Sequence, residues 1–250
     1  MAAVLIVATR IACAGEIPRD QRRSGYDQMT PATQALQDDD MANPGLLWLL
    51  DGEAQWKEKA GRKVQSCSGC HGDASDSMKG VAARYPAYHP ESGAMNIEGR
   101  INLCRTKHMD APGFALESKE LLALTMFVAA QSKGLPIAID ERKLMPQVEQ
   151  GRRIYDSRQG QLNLSCAQCH DDNWGKTLAG STIPQGHPTG YPQYRLEWQS
   201  VGSLHRRLRN CLTGMRAENY MSGSPELIAL EAYLMSRAQG MPIENPAVRP

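Results

Sequence analysis

Two pentapeptides hold most of the chemistry in this sequence: Cys67-Ser68-Gly69-Cys70-His71 and Cys166-Ala167-Gln168-Cys169-His170. Two thiols spaced in this way add across the vinyl groups of a haem, and the histidine that follows offers an imidazole to the iron. One copy alone would also suit a zinc site or a redox dithiol. A lone cysteine follows each copy, Cys104 after the first and Cys211 after the second. Either could complete a zinc site. Two copies in a duplicated frame point instead to two covalently bound haem c groups, held through Cys67, Cys70, Cys166 and Cys169.

The iron then needs a sixth ligand or an open face. Methionine is common in electron-carrying cytochromes, and Met78, Met95, Met109, Met215 and Met221 are available. Cys104 and Cys211 compete with them, each placed in the loop that should cover a haem. The bland alternative is a disulfide joining these two cysteines. A thiolate ligand lowers the potential of the iron. Near positive charge it is also a nucleophile that can be carried as a persulfide. Around Cys211 the chain is basic, with His205, Arg206, Arg207 and Arg209 before it and Arg216 after it. Such a cluster can stabilise a thiolate and attract a sulfur oxyanion. It also suits a solvated face or haem propionates. Arg100 stands four residues before Cys104, as Arg207 does before Cys211. The extra charge of Arg206, Arg209 and Arg216 therefore marks the second site.

The elements that must position these residues repeat too. Gly52 and Trp56 precede Cys67 with the spacing by which Gly151 and Tyr155 precede Cys166. That spacing predicts a helix carrying a glycine and an aromatic against a terminal helix. Ser118 to Leu124 matches Ser224 to Leu230, and Gly134 to Ile137 matches Gly240 to Ile243, both at an offset of 106. Each longer stretch reads as an amphipathic helix with a serine N-cap, Pro225 falling where the first helical turn tolerates proline. Histidine and lone cysteine are 33 residues apart in the first unit and 41 in the second, a net insertion of 8. Collinear landmarks at near-constant offset indicate duplication.

The chain of 250 residues carries a net charge of +1, so charge gives no case for nucleic acid or a membrane surface. Its 2 phenylalanines leave the core to aliphatic residues, methionine and a large ligand. The apolar start is too short to span a bilayer and reads as an export signal ending at Ala12-Cys13-Ala14. The expected architecture is mainly α: a signal segment at 1–14, an N-terminal arm at 15–48, and two tandem cytochrome c-like domains at 49–143 and 144–250, the second catalytic. The arm wraps a domain, lies against a partner or is disordered.

These residues resemble the SoxA family, the dihaem cytochrome c subunit of SoxAX complexes. The match includes Arg23-Ser24-Gly25-Tyr26-Asp27, Asp38-Asp39-Asp40, Asn43-Pro44, Ser165 to His170, Gly190-Tyr191-Pro192 and Tyr194-Arg195-Leu196. It continues through Arg207, Cys211, Arg216-Ala217-Glu218, Gly223-Ser224 and Leu230 to Leu234. The resemblance implies His71 and Cys104 as axial ligands of the first haem, and His170 and Cys211 as those of the second. It implies Cys211 as the catalytic residue, found as a persulfide, and Arg207 as the substrate residue. The implied reaction is that of an L-cysteine S-thiosulfotransferase. Thiosulfate is coupled oxidatively to a cysteine of the SoxYZ carrier, and two electrons pass through a SoxX-like monohaem subunit to cytochrome c in the periplasm. The rival expectation is a dihaem electron carrier without transferase activity.

Overall fold

The computed structural model describes residues 17–250. The expected signal segment, with Cys13, lies outside them. Among the described residues no helix is long and apolar enough to cross a membrane.

The first half contains α1 (Pro31–Asp38), α2 (Leu46–Lys57), α3 (Cys67–His71), α4 (Ala74–Ser77), β1 (Ala87–His89), β2 (Gly93–Met95), α5 (Ile97–Leu103) and α6 (Lys119–Ala130). Helix α5 runs on as a π turn over Cys104–His108. The second half contains α7 (Met145–Asp156), α8 (Cys166–His170), β3 (Thr177–Leu178), β4 (Ser181–Thr182), β5 (Gln193–Arg195), β6 (Ser200–Gly202), α9 (Leu204–Gly214), α10 (Pro225–Arg237) and β7 (Ala247–Arg249). Hairpins β1–β2 and β5–β6 are antiparallel, and β7 joins β5 in parallel.

Each half is built on one helix crossing, α2 on α6 and α7 on α10. A glycine sits at each crossing because nothing larger fits. A Cβ on Gly52 would lie 2.3 Å from the Ala123 carbonyl oxygen, and one on Gly151 would lie 2.0 Å from that of Ala229. The obstacle is backbone, which cannot rotate away. Gly151→Ala should therefore destabilise the second half by about 3 kcal/mol, the upper end of core overpacking. Urea unfolding will read this as a lowered midpoint. Trp56 and Tyr155 are buried beside these glycines, as the repeat predicts.

The serine caps form as expected. Ser118 accepts from the Leu121 amide and Ser224 from that of Leu227, with Pro225 in the first turn. The expectation of an amphipathic α6 needs correction. Leu121, Leu122, Leu124, Met126 and Val128 are all buried and span its circumference. The cause is the second half: Val201 of β6 packs on Leu122 and Met126, covering the face that an isolated domain would expose.

The arm, residues 17 onward, is ordered against the second half. Gln37 accepts from the Val248 amide and from Arg249, and Asn43 donates to the Pro246 carbonyl. Gln185 binds both the Arg23 amide and the Gln21 carbonyl.

The halves meet through a core that includes Ile137, Ile139, Leu144, Met235 and Ile243. Across it, Gly134 to Ile137 and Gly240 to Ile243 pair with each other. The Gly134 amide donates to Ile243, the Ile243 amide to Leu135, the Ile137 amide to Met241 and the Gly240 amide to Ile137.

A polar cluster lies nearby. Asn96 donates to Glu231, and His205 Nε2 is 3.0 Å from the same carboxylate oxygen. Glu98 faces this group. Burial, then the charge of Glu231, pushes its pKa up from 4.5 to about 7. The folded chain thus keeps a proton that the unfolded chain releases near 4.5, so this contribution to stability is full below that pH and is lost as pH rises through 7. Glu98→Gln should flatten the decline. Thermal midpoints at about pH 5 and about pH 8 will show it, and an equal fall in the variant would count against the assignment.

Candidate functional site

Short helices present both pentapeptides. Ser66 caps α3 by accepting from the Gly69 amide, and Ser165 caps α8 in a full capping box with Gln168. The two cysteines of each helix are three residues apart and share one face. Cys67 and Cys166 each line a cavity. Cys70 is exposed and Cys169 partly buried.

The second cavity encloses about 950 Å³ and is lined by Cys166, His170, Tyr191, Arg195, Arg207 and Cys211, among others. The first encloses about 1370 Å³ and is lined by Cys67, His71, Tyr85, His89, Arg100 and Cys104, among others.

The second cavity fits a haem. His170 Nδ1 lies 2.7 Å from the Pro184 carbonyl oxygen, which can only accept. Nδ1 therefore carries the proton, and Nε2 is left with a lone pair for a metal. A Cβ on Gly186 would meet the His170 ring at 3.4 Å, so the segment after Pro184 seats the imidazole. Around α8, Tyr155 donates to Asp171 at 2.9 Å, and Arg237 pairs with Asp171 at 2.5 Å. In the first half Trp56 donates to the Gly72 carbonyl at 3.1 Å instead. These contacts fix each helix end next to its histidine.

Cys211 lines the same cavity as His170. Burial pushes the Cys211 thiol up, but its neighbours His170, Arg207 and Arg195 bring it below its ordinary value. Cys104 goes the other way: burial outweighs Arg100 and raises it. The copies also differ in backbone. Cys211 sits inside regular helix α9, whereas Cys104 opens a π turn.

Met78 and Met109 line the first cavity and Met215 the second, so methionine is present near both sites. Met221 is 78% exposed, and Met95 lies between the halves. Cys104 and Cys211 are free thiols in separate cavities, which removes the disulfide alternative. No group of three or more His, Cys, Asp or Glu residues among those described converges as a metal site, so the zinc alternative gains no support. Of the expected basic cluster, Arg207 lines the cavity. Arg206 lies over Trp198 at 4.3 Å, Arg209 donates to Ser222, and His205 turns to Glu231.

Arg195 and Tyr191 belong to motifs of the family resemblance but not to the landmarks of the repeat. A signal for them exists. Tyr85-Pro86-Ala87-Tyr88-His89 matches Tyr191-Pro192-Gln193-Tyr194-Arg195 at the offset of 106. The structure places the two stretches in equivalent hairpins. The offset rises from 99 at the histidines to 106 here and 107 at the arginine–cysteine pairs. Most of the insertion therefore lies between His170 and Tyr191, where β3 and β4 form a hairpin with no counterpart in the first half.

The model of the SoxA/TsdA cytochrome c domain matches residues 51–137 and 150–243. The L-cysteine S-thiosulfotransferase subunit SoxA of Pseudaminobacter salicylatoxidans is 37% identical over 97% of this chain and 86% of its own length. The same subunit from Rhodovulum sulfidophilum is 36% identical over 92% and 81%. The crystal structure of SoxXA from P. pantotrophus superposes with a TM-score of 0.88 at 31% identity, over 92% of this chain and 87% of that one. Duplicated helix crossings, paired cysteine–histidine helices and these likenesses converge: the chain belongs to the SoxA family of cytochromes c.

Proposed function

We propose that the protein couples thiosulfate oxidatively to a cysteine of a SoxYZ-type carrier, with Cys211 as the reacting thiol. One observation carries the reading: the half-buried Cys211 lines one cavity together with His170, Arg207 and Arg195. The names of the relatives support it, as does their L-cysteine S-thiosulfotransferase activity.

The cofactor reading is two haem c groups. Cys67 and Cys70 attach one, and Cys166 and Cys169 the other. His71 with Cys104, and His170 with Cys211, would hold the two irons. Haem supplies a one-electron acceptor beside the reacting sulfur. Arg207 holds the thiosulfate anion, and the Cys211 thiolate joins its terminal sulfur. One thiolate and one thiosulfate give the Cys211 S-thiosulfonate and two electrons, which leave for a cytochrome c acceptor through a SoxX-like subunit. The carrier thiolate then attacks the sulfur bearing the sulfonate, and Cys211 departs as thiolate. This exchange is redox-neutral and returns the enzyme. A persulfide at Cys211 changes the length of the nucleophile but not the balance.

The setting is the periplasm, reached through the signal segment at 1–14. Residues 15–48 form the arm, 49–143 the first domain and 144–250 the second, catalytic one.

Reconstitution with thiosulfate, carrier and oxidised cytochrome c tests the reading. The carrier should gain the mass of one thiosulfonate for every two cytochromes reduced. Haem reduction without a carrier adduct would favour an electron carrier alone. Denatured intact mass should show two haems, falling to one in a Cys67→Ser, Cys70→Ser chain.

A further inference from the structure

The two cavities share a matched set of four positions, and one of the four differs in charge. Tyr85 matches Tyr191, Arg100 matches Arg207 and Cys104 matches Cys211. All six line their cavities. At the fourth matched position the first cavity has His89 and the second has Arg195. His89 is already engaged, its Nε2 3.2 Å from the Tyr85 hydroxyl. Arg195 is not. Its Nε is buried with no hydrogen-bond partner. Its one carboxylate, Glu197, lies 3.2 Å away and is 58% exposed, so it neutralises Arg195 weakly. Trp198 packs against the guanidinium at 5.2 Å and holds it in place. Arg207 has no carboxylate partner among the described residues.

Two guanidinium groups therefore line one cavity, and the one carboxylate near them, Glu197, faces solvent. Leaving them so is costly, and an anion entering between them relieves the cost. Planar guanidinium groups suit the oxygens of a sulfonate. Anchoring the sulfonate end leaves the terminal sulfur of thiosulfate for Cys211.

We propose that Arg195, which stands where the first cavity has His89, is a second substrate-binding residue and clamps a divalent sulfur oxyanion together with Arg207. This rests on Cys211 being the reacting thiol. A lone arginine four residues before the cysteine is common to both copies and cannot distinguish them. Arg195 can.

The test uses the haem-loaded full chain with its SoxX-like subunit, as wild type, Arg195→His and Arg195→Lys. Arg195→His installs the residue of the first cavity. Thiosulfate binding is measured by calorimetry without carrier, and KM and kcat are measured with it. The expected result for Arg195→His is a roughly ten- to hundredfold rise in KM and in the dissociation constant, the scale of one lost charge-assisted hydrogen bond. The kcat should stay within about threefold, and Arg195→Lys should fall between. Unchanged KM and binding would overturn the proposal. So would a shifted haem spectrum with unchanged KM, which would assign Arg195 to a haem propionate. If the wild type neither binds nor turns over thiosulfate, the functional reading itself falls and the clamp with it. If the wild type is active and Arg195→His matches it, only the clamp falls.

Discussion

Cys211→Met is expected to abolish sulfur transfer while keeping, on the proposed haem ligation, a sulfur ligand for the iron that His170 would hold. A thioether ligates haem iron as methionine does in ordinary cytochromes c. It has no proton to lose and cannot form the sulfur–sulfur bond. Removing an enzyme nucleophile costs about 10⁴- to 10⁶-fold in kcat. A loss on that scale is expected, down to the background of the assay. The substitution is mild structurally, because Cys211 lies inside α9 and faces a cavity. The visible spectrum should stay low-spin, and the potential should rise, since methionine donates less charge than thiolate. Cys104→Met is the internal control and should leave transfer within a few-fold of wild type. Transfer by Cys211→Met within tenfold of wild type would rule out Cys211 as the reacting sulfur.

The second large effect concerns the support behind His170. Arg237 and Asp171 are 3% and 9% exposed in their side chains and pair at 2.5 Å. Arg237 also lies over Tyr155 at 4.7 Å and Tyr233 at 5.8 Å. Arg237→Leu keeps much of the packing but strands a buried carboxylate one residue after the histidine. Breaking such a pair from one side costs about 3–5 kcal/mol. The urea midpoint should fall accordingly with little change in slope. Adding Asp171→Asn should recover part of the loss, because the stranded charge is then gone. No recovery would mean that Arg237 acts through its aromatic contacts rather than the ion pair. The matching residue of the first half, Gln131, bonds the Phe127 carbonyl of its own helix. Changing it should cost about 1 kcal/mol or less.

How much of this was legible in the sequence varied with the range of the interaction. The glycine and aromatic spacing worked because a helix crossing leaves a local imprint every turn. The serine caps worked for the same reason. The burial of α6 on all sides was not legible, since the residues covering it, such as Val201, are far along the chain and signal nothing locally. The arm was equally opaque. Gln37 and Asn43 are ordinary polar residues until Val248, Arg249 and Pro246 arrive from the other end. Arg195 was missed as a landmark of the repeat for a different reason. Its strand is three residues long, too short for a periodic signal, and the match with His89 emerges once both are seen in equivalent hairpins.

The mutual pairing of Gly134 to Ile137 with Gly240 to Ile243 has an ancestral meaning. A segment that hydrogen-bonds to its own copy is self-complementary, which is the geometry of an isologous dimer contact. The duplicated chain is thus built like a homodimer whose protomers were joined end to end. In such an arrangement the shared contact can persist while the two sites, no longer bound to be identical, drift apart. One half can keep a histidine beside its cavity, and the other can replace it with an arginine.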